Sequence, residues 1–169
     1  MKRVFVTHAL PGNRINELRD SCDMGVWTDS TPMSSTDLAL HLRGQCGVLC
    51  SFTNHIDEAL LDANPQLRFI SSMSVGLDHV DVNAATARGI PVGYTPDVLV
   101  ETTADANFAL LLATARRIVE ADSYIRAGLW RAETGWSPDF FVGKDVGGAT
   151  LGVVGRAGQR PDQFSQGRP

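Results

Sequence analysis

Along the first 95 residues, short apolar runs alternate with stretches of helical period. Lys2–Thr7 (KRVFVT) is a β-branched run bounded by His8–Gly12, which predicts a strand. Asn13–Ser21 carries Ile15 and Leu18 at helical spacing, and Asp23–Thr28 reads as a short second strand. Ser34–Arg43 predicts a helix with Leu38 and Leu42 on one face, a capping pair in Ser34 and Asp37, and a stop at Gly44. Gly47–Ser51 (GVLCS) is a buried strand, Asp57–Asn64 a helix with Pro65 beyond its end, and Arg68–Ser72 the next strand. Asp81–Arg88 is a helix stopped by Gly89, and Ile90–Tyr94 a fifth strand. Strands separated by short helices need parallel crossovers, and runs apolar on both faces fit a sheet covered by helices. The pattern is one complete doubly wound unit.

Glu101–Ala127 breaks the rhythm. It holds 27 residues without Gly or Pro, about 40 Å if wholly helical, with Thr102 or Thr103 able to cap it. Phe108–Ala113 is apolar nearly all round, so this helix expects more cover than a surface helix needs. Gly128–Gly148 reads as loop, with Trp130 and Trp136, and Thr150–Val154 (TLGVV) as a new strand ending at Gly155. Residues 156–169 (RAGQRPDQFSQGRP) hold only Ala157 and Phe164 as apolar side chains outside Pro. Such a segment buries too little surface to offset its ordering entropy, so a disordered tail is expected.

Composition narrows the function. The chain has 169 residues, 43% hydrophobic and 20% charged, with 15 basic against 19 acidic side chains and a formal charge of −4. It is globular in type, with no electrostatic footprint for nucleic acid or an anionic membrane. No apolar run suits a transmembrane helix, and MKRVFVTHALPG lacks a signal-peptide h-region, so a cytoplasmic protein is expected. Cys22, Cys46 and Cys50 form no CxxC and read as reduced thiols. His8, His41, His55 and His79 are scattered singly, so no metal ligand set is expected.

Two segments carry candidate chemistry. TLGVVG opens like a dinucleotide-binding unit, in which a glycine turn brings backbone N–H groups to a pyrophosphate. Counted from Gly155, however, the second and third glycine positions of G-x-G-x-x-G are Ala157 and Arg160, and Pro161 stops any following helix. Alone, it is a glycine turn after a strand. Ser71–Asp78 (SSMSVGLD) is a strand end turning through Val75-Gly76, where free amides can hold a carboxylate without a charged side chain, or simply make a βα turn. No nucleophile–base pair emerges. His55 reads as a loop residue. His79, between Asp78 and Asp81, is either an acid–base group or a helix-start residue. Glu101 and Asp105 read as favourable first-turn charges.

Together, GVLCSFTNHIDEALLDANPQLRFISSMSVGLDHVD, VGYTPDVL followed by TTA, Gly128–Trp130 and TLGVVG are specific. Over about residues 1–155 the chain resembles the D-isomer-specific 2-hydroxyacid dehydrogenases, in particular the glyoxylate/hydroxypyruvate reductase branch. The resemblance implies an α/β, flavodoxin-like parallel sheet as substrate domain in residues 1–97. It implies an interdomain helix over 98–127, the start of an NAD(P)-binding domain over 128–155, and an aberrant tail over 156–169. It places Val75 and Gly76, with Ser74 beside them, at the substrate carboxylate. Thr103 falls near the nicotinamide, and Gly155 at the opening of the phosphate-binding turn.

The implied reaction is NAD(P)H-dependent reduction of glyoxylate or hydroxypyruvate by a homodimeric enzyme. The partner is a small 2-keto or 2-hydroxy acid, not nucleic acid or membrane. The family's GLGRIGQ is shortened to GRAGQ at 155–159, and the tail beyond Gln159 matches no family pattern. The family's catalytic Arg, Glu and His lie downstream, so no catalytic residue is assigned. The expectation is a truncated chain, inactive alone, binding NAD(P)H weakly and self-associating through Phe108–Val119. The alternatives are a non-catalytic binding module or a pseudogene product. A signalling receiver domain is a third, opposed by His8–Leu10 where its acidic cluster would stand.

Overall fold

The computed structural model describes residues 1–10, 12–131, 133 and 137–154. They fall into two compact units, Met1–Pro96 and the described residues from Asp97 on.

The first unit alternates strand and helix throughout: β1 (Lys2–Val6), α1 (Arg14–Arg19), β2 (Cys22–Val26), α2 (Ser35–His41), β3 (Gly47–Cys50), α3 (Glu58–Ala63), β4 (Phe69–Ser72), α4 (Val82–Ala87) and β5 (Val92–Gly93). The five strands form one sheet in the order β2-β1-β3-β4-β5, and every pairing is parallel. This is the flavodoxin-like α/β architecture. The caps are local: Ser34 accepts from the Asp37 amide, Asp57 from Leu60 and Asp81 from Ala84. Each cap satisfies an N–H that the first helical turn leaves unpaired.

Side chains alternate across each strand. Phe5, Val48, Cys50 and Ile70 face one side and pack with Leu38 and Leu42 of α2, Leu60 and Leu61 of α3, and Ala84 and Ala85 of α4. That side is the core. The other side carries Val4, Val6, Leu49 and Phe69, where α1 contributes Leu18 and an apolar groove of about 160 Å³ persists. Cover is therefore unequal, where the apolar pattern predicts both faces closed. Gly47 lies under the Phe69 ring: a Cβ there would come within 2.0 Å of it.

The second unit contains α5 (Val100–Ala115) and α6 (Ile118–Arg126). The single helix predicted over 101–127 is thus two. The break comes from far along the chain. Ala115 C=O, which would accept from Val119 in an unbroken helix, takes the Lys144 N–H at 2.8 Å. Arg116 pairs with Asp145 at 2.8 Å, and a Cβ on Gly143 would meet Ala115 O at 2.3 Å, so only glycine fits against the helix end. Arg117 turns into the left-handed region at φ 54°, held by Glu120 and by its guanidinium 5.0 Å from the Phe141 ring centroid. Tyr124, Trp130, Phe140 and Phe141 form an aromatic cluster beside it.

Two further expectations are corrected. Leu99, not Thr102 or Thr103, is the N-cap of α5, and it makes no side-chain cap bond. Thr150–Val154 is not a strand: none of the described residues pairs with it, and Leu151, Val153 and Val154 are exposed. An apolar β-branched run becomes a strand only where a neighbour supplies a ladder. Gly155 and the tail from residue 156 lie outside the described residues, as does Trp136.

Gly47→Ala is expected to destabilise the first unit by about 1–3 kcal/mol through overpacking against Phe69. Urea midpoints of the two proteins check this, and an unchanged midpoint counts against the close approach.

Candidate functional site

All five strands run one way, so their carboxyl ends share one edge of the sheet. In such sheets ligands bind outside that edge. Strand order reverses between β1 and β3, and there one side chain ties the two ends together. Asn54 Oδ1 accepts from Thr7 Oγ1 at 2.7 Å and from the Ser51 amide at 3.1 Å. Asn54 is 2% exposed, and its Nδ2 has no hydrogen-bond partner among the described residues. His8 Nδ1 lies 2.9 Å from Thr7 Oγ1.

The turn after β4 is pinned from several sides. Met73 N–H donates to Cys50 C=O, Ile56 N–H to His79 C=O, and Asp81 N–H to Ile56 C=O, each at 2.8 Å. Ser74 C=O accepts both the Thr95 amide and the Thr95 hydroxyl at 3.1 Å. Gly76 C=O accepts the Ser74 hydroxyl at 2.7 Å. In a trans peptide the N–H points opposite to its C=O. Fixing these two carbonyls therefore aims the Val75 and Leu77 N–H groups away from the bonds that hold them. Among the described residues, the amides of Val75, Gly76 and Leu77 have no hydrogen-bond partner.

This turn borders a cleft of about 380 Å³ lined by Phe52, His55, Ser74, Gly76, Asp78 and His79. No Lys or Arg lines it, so attraction for an anion must come from backbone dipoles. A Cβ on Gly76 would meet only Asp78 Oδ2, at 3.7 Å, so the chain itself leaves that approach open. His79 is buried, with Nε2 2.8 Å from Ser72 Oγ, which lies 2.6 Å from Ser74 Oγ. Burial, and secondarily the neighbouring His55, hold the His79 imidazole below its ordinary pKa, with Asp78 partly opposing. Burial pushes the Cys50 thiol up to about 11, so it stays protonated.

Ser74, Val75, Gly76 and His79 thus come together at one turn, with His55 exposed across the cleft. Asp81 caps α4 rather than touching His79. Thr103 is exposed inside α5, its amide bonded to Leu99 C=O at 2.8 Å. Thr95 and Asn54 were not legible as site residues. Both act on strand ends that only the sheet brings together. Among the described residues no group of three His, Cys, Asp or Glu could hold a metal ion, and no helix is long and apolar enough to cross a membrane.

Residues 4–159 match the family model described as D-isomer specific 2-hydroxyacid dehydrogenase, catalytic domain. The chain belongs to this family. A glyoxylate reductase of Korarchaeum cryptofilum is 42% identical over 153 residues, covering 90% of this chain and 46% of that protein. One of Thermococcus kodakarensis is 40% identical over 168 residues, covering 98% and 50%. The second alignment runs past residue 159, further than the family motifs read in the sequence. The chain spans about half the length of the curated relatives it matches.

Among solved structures of similar fold, a Thermus thermophilus protein is 41% identical with a TM-score of 0.77 over 83% of this dehydrogenase-family chain and 44% of its own. The NADPH-dependent glyoxylate/hydroxypyruvate reductase of Sinorhizobium meliloti, solved with NADP and malonate, is 30% identical with a TM-score of 0.64, covering 80% and 41%.

The lowered pKa of His79 carries a sign. A histidine kept neutral by the fold contributes stability in full above its ordinary value of 6.5, and that stability is lost as pH falls towards the lower folded value. Unfolding free energy is expected to drop from about pH 7.5 to about pH 5.5, and to drop less in His79→Gln. Equal slopes in the two proteins would contradict the assignment.

Proposed function

We propose that this chain supplies the keto-acid-binding part of an NAD(P)H-dependent reductase of glyoxylate or hydroxypyruvate. The observation that carries the reading is the turn of three unpartnered amides, Val75, Gly76 and Leu77, beside Ser74 in a cleft at the carboxyl edge of the sheet. Backbone N–H groups fixed in direction stabilise a carboxylate with no further ordering on binding. Membership of the family and the likeness to glyoxylate reductases support a small 2-keto acid as the source of that carboxylate.

Thr103 and Gly155 are proposed as the cofactor-side residues, with residues 1–97 as substrate domain, 98–127 as the connection and 128–155 as the opening of the cofactor domain. The described residues do not make a dinucleotide site. Such a site needs a βαβ unit with a glycine turn at the helix start, and Thr150–Val154 is unpaired. What the chain does is bind and orient: the turn holds the carboxylate end, leaving the 2-keto carbon directed into the cleft.

Oxamate, a non-reactive keto-acid analogue, is expected to shift the Val75, Gly76 and Leu77 amide resonances of the labelled chain. Gly76→Ala, whose methyl projects into the open approach, is expected to keep stability within about 1 kcal/mol and to weaken that binding. Shifts elsewhere, with these three unmoved, would defeat the reading. The 169-residue chain by itself is expected to leave NADH and NADPH unoxidised with glyoxylate, and to bind NADH no tighter than about millimolar. Enzyme-like turnover, or micromolar affinity by calorimetry, would overturn that part.

Self-association is also proposed. Phe108 and Leu110 on α5 and Ile118 and Val119 on α6 are exposed, and apolar surface of this kind drives association. Light scattering that reports a clean monomer at high concentration would refute it.

A further inference from the structure

The hydroxyl protons around the β4 turn can be assigned one by one. Ser74 Oγ lies 2.7 Å from Gly76 C=O. A carbonyl only accepts, and two oxygens that close repel without a proton between them, so the Ser74 proton is on this bond. Ser74 Oγ then has only lone pairs to offer Ser72 Oγ, 2.6 Å away, and Ser72 must be the donor there. With its single proton committed, Ser72 Oγ can only accept from His79 Nε2 at 2.8 Å. The His79 ring must therefore carry its proton on Nε2.

The chain runs in one sense: His79 Nε2–H to Ser72 Oγ–H to Ser74 Oγ–H to Gly76 C=O. Its last bond fixes the Gly76–Leu77 peptide plane, and with it the direction of the Leu77 N–H. A ring with its proton on Nδ1 would present a lone pair to Ser72. Ser72 would turn its proton to the ring, and Ser74 would lose the donor that orders it.

We propose that His79 is a positioning residue: through Ser72 and Ser74 it sets the peptide plane of the carboxylate-binding turn. The assignment rests on the carboxylate reading of that turn for its functional meaning, but not for its chemistry. His79 is placed for the task by its neighbours. Its carbonyl takes the Ile56 amide at 2.8 Å, which locks the residue against the loop after β3, and its side chain is buried beneath the cleft. The ionisable groups around the pair are few: His55 across the cleft, Asp78 beside it in the turn, and Cys50 behind Ser72. None of them supplies a competing proton. Among the described residues, neither His55 nor Asp78 makes a hydrogen bond to the ring.

The test uses the full 169-residue chain labelled with nitrogen-15. Long-range proton–nitrogen correlation in the wild type is expected to show His79 neutral with the proton on Nε2 near pH 7.5. The proton on Nδ1 instead would overturn the proposal without any variant. His79→Phe removes the donor, Ser72→Ala breaks the chain in the middle, and His79→Gln restores an amide N–H near the Nε2 position.

In the first two, the Leu77 and Gly76 amides are expected to lose order by heteronuclear relaxation. Their oxamate affinity should fall about tenfold, the scale of one hydrogen bond, with the remaining spectrum in place. His79→Gln is expected to stay within about twofold of wild type. Equal order and equal affinity in all four proteins would overturn the proposal, as would a His79→Gln chain as impaired as Ser72→Ala. If the wild type binds no oxamate at the turn, the carboxylate reading falls, and the tautomer and the order of the turn still decide the role of His79.

Discussion

Everything described at the carboxyl edge depends on one constraint, that five strands run in the same direction. Parallel strands cannot be joined by tight turns, so each must be followed by a helix that carries the chain back. The loops that leave the strands are then gathered at one edge, whatever their separation in sequence. Cys50 C=O receives Met73 N–H, and Ser74 C=O receives Thr95, only because β3, β4 and β5 end side by side. The turn of Ser74–Leu77 is a local sequence held in place by three strands.

That arrangement explains why the site contains so little charge. A carboxylate could be met by Arg or Lys, but a long flexible cation loses side-chain freedom on binding. In the proposed reading the donors are backbone amides, and those of Val75 and Leu77 share their peptides with carbonyls already occupied, so their directions are fixed before a ligand arrives. The buried polar side chains beneath, Ser72, His79, Thr7 and Asn54, spend their hydrogen bonds on backbone and on one another. They hold geometry rather than carry charge.

What could be read in the sequence was what is encoded locally. Ser34, Asp57 and Asp81 cap their helices because a short oxygen-bearing side chain reaches an amide three residues on. The β-branched runs became strands where neighbours existed. The turn at Val75-Gly76 was visible as a strand end beside glycine. The failures have one cause in common, a partner far along the chain. Nothing between 101 and 127 announces a break, because the donor that ends α5 is the Lys144 amide. Thr150–Val154 has strand composition and no ladder. Thr95 entered as part of a family pattern, but its hold on Ser74 C=O needs β5 beside β4. The sense of the hydrogen-bond chain from His79 follows from counting protons along distances that only the folded chain sets, which no residue pattern supplies.

The join between α5 and α6 is a bend that the local sequence does not ask for. Arg117 sits in a conformation that costs an L-residue about 1–2 kcal/mol, and it is kept there by Glu120, Phe141 and the segment carrying Lys144. If that segment lifts away, Ala115 C=O is free to take the Val119 amide and Arg117 can relax into the right-handed helix. Two short cylinders then become one straight rod, since no Gly or Pro stands between residues 101 and 127 to prevent it. The stretch from 137 to 149 thus works as a wedge: it sets the bend between the two helices, and the residues of the helices themselves hold no local reason for it.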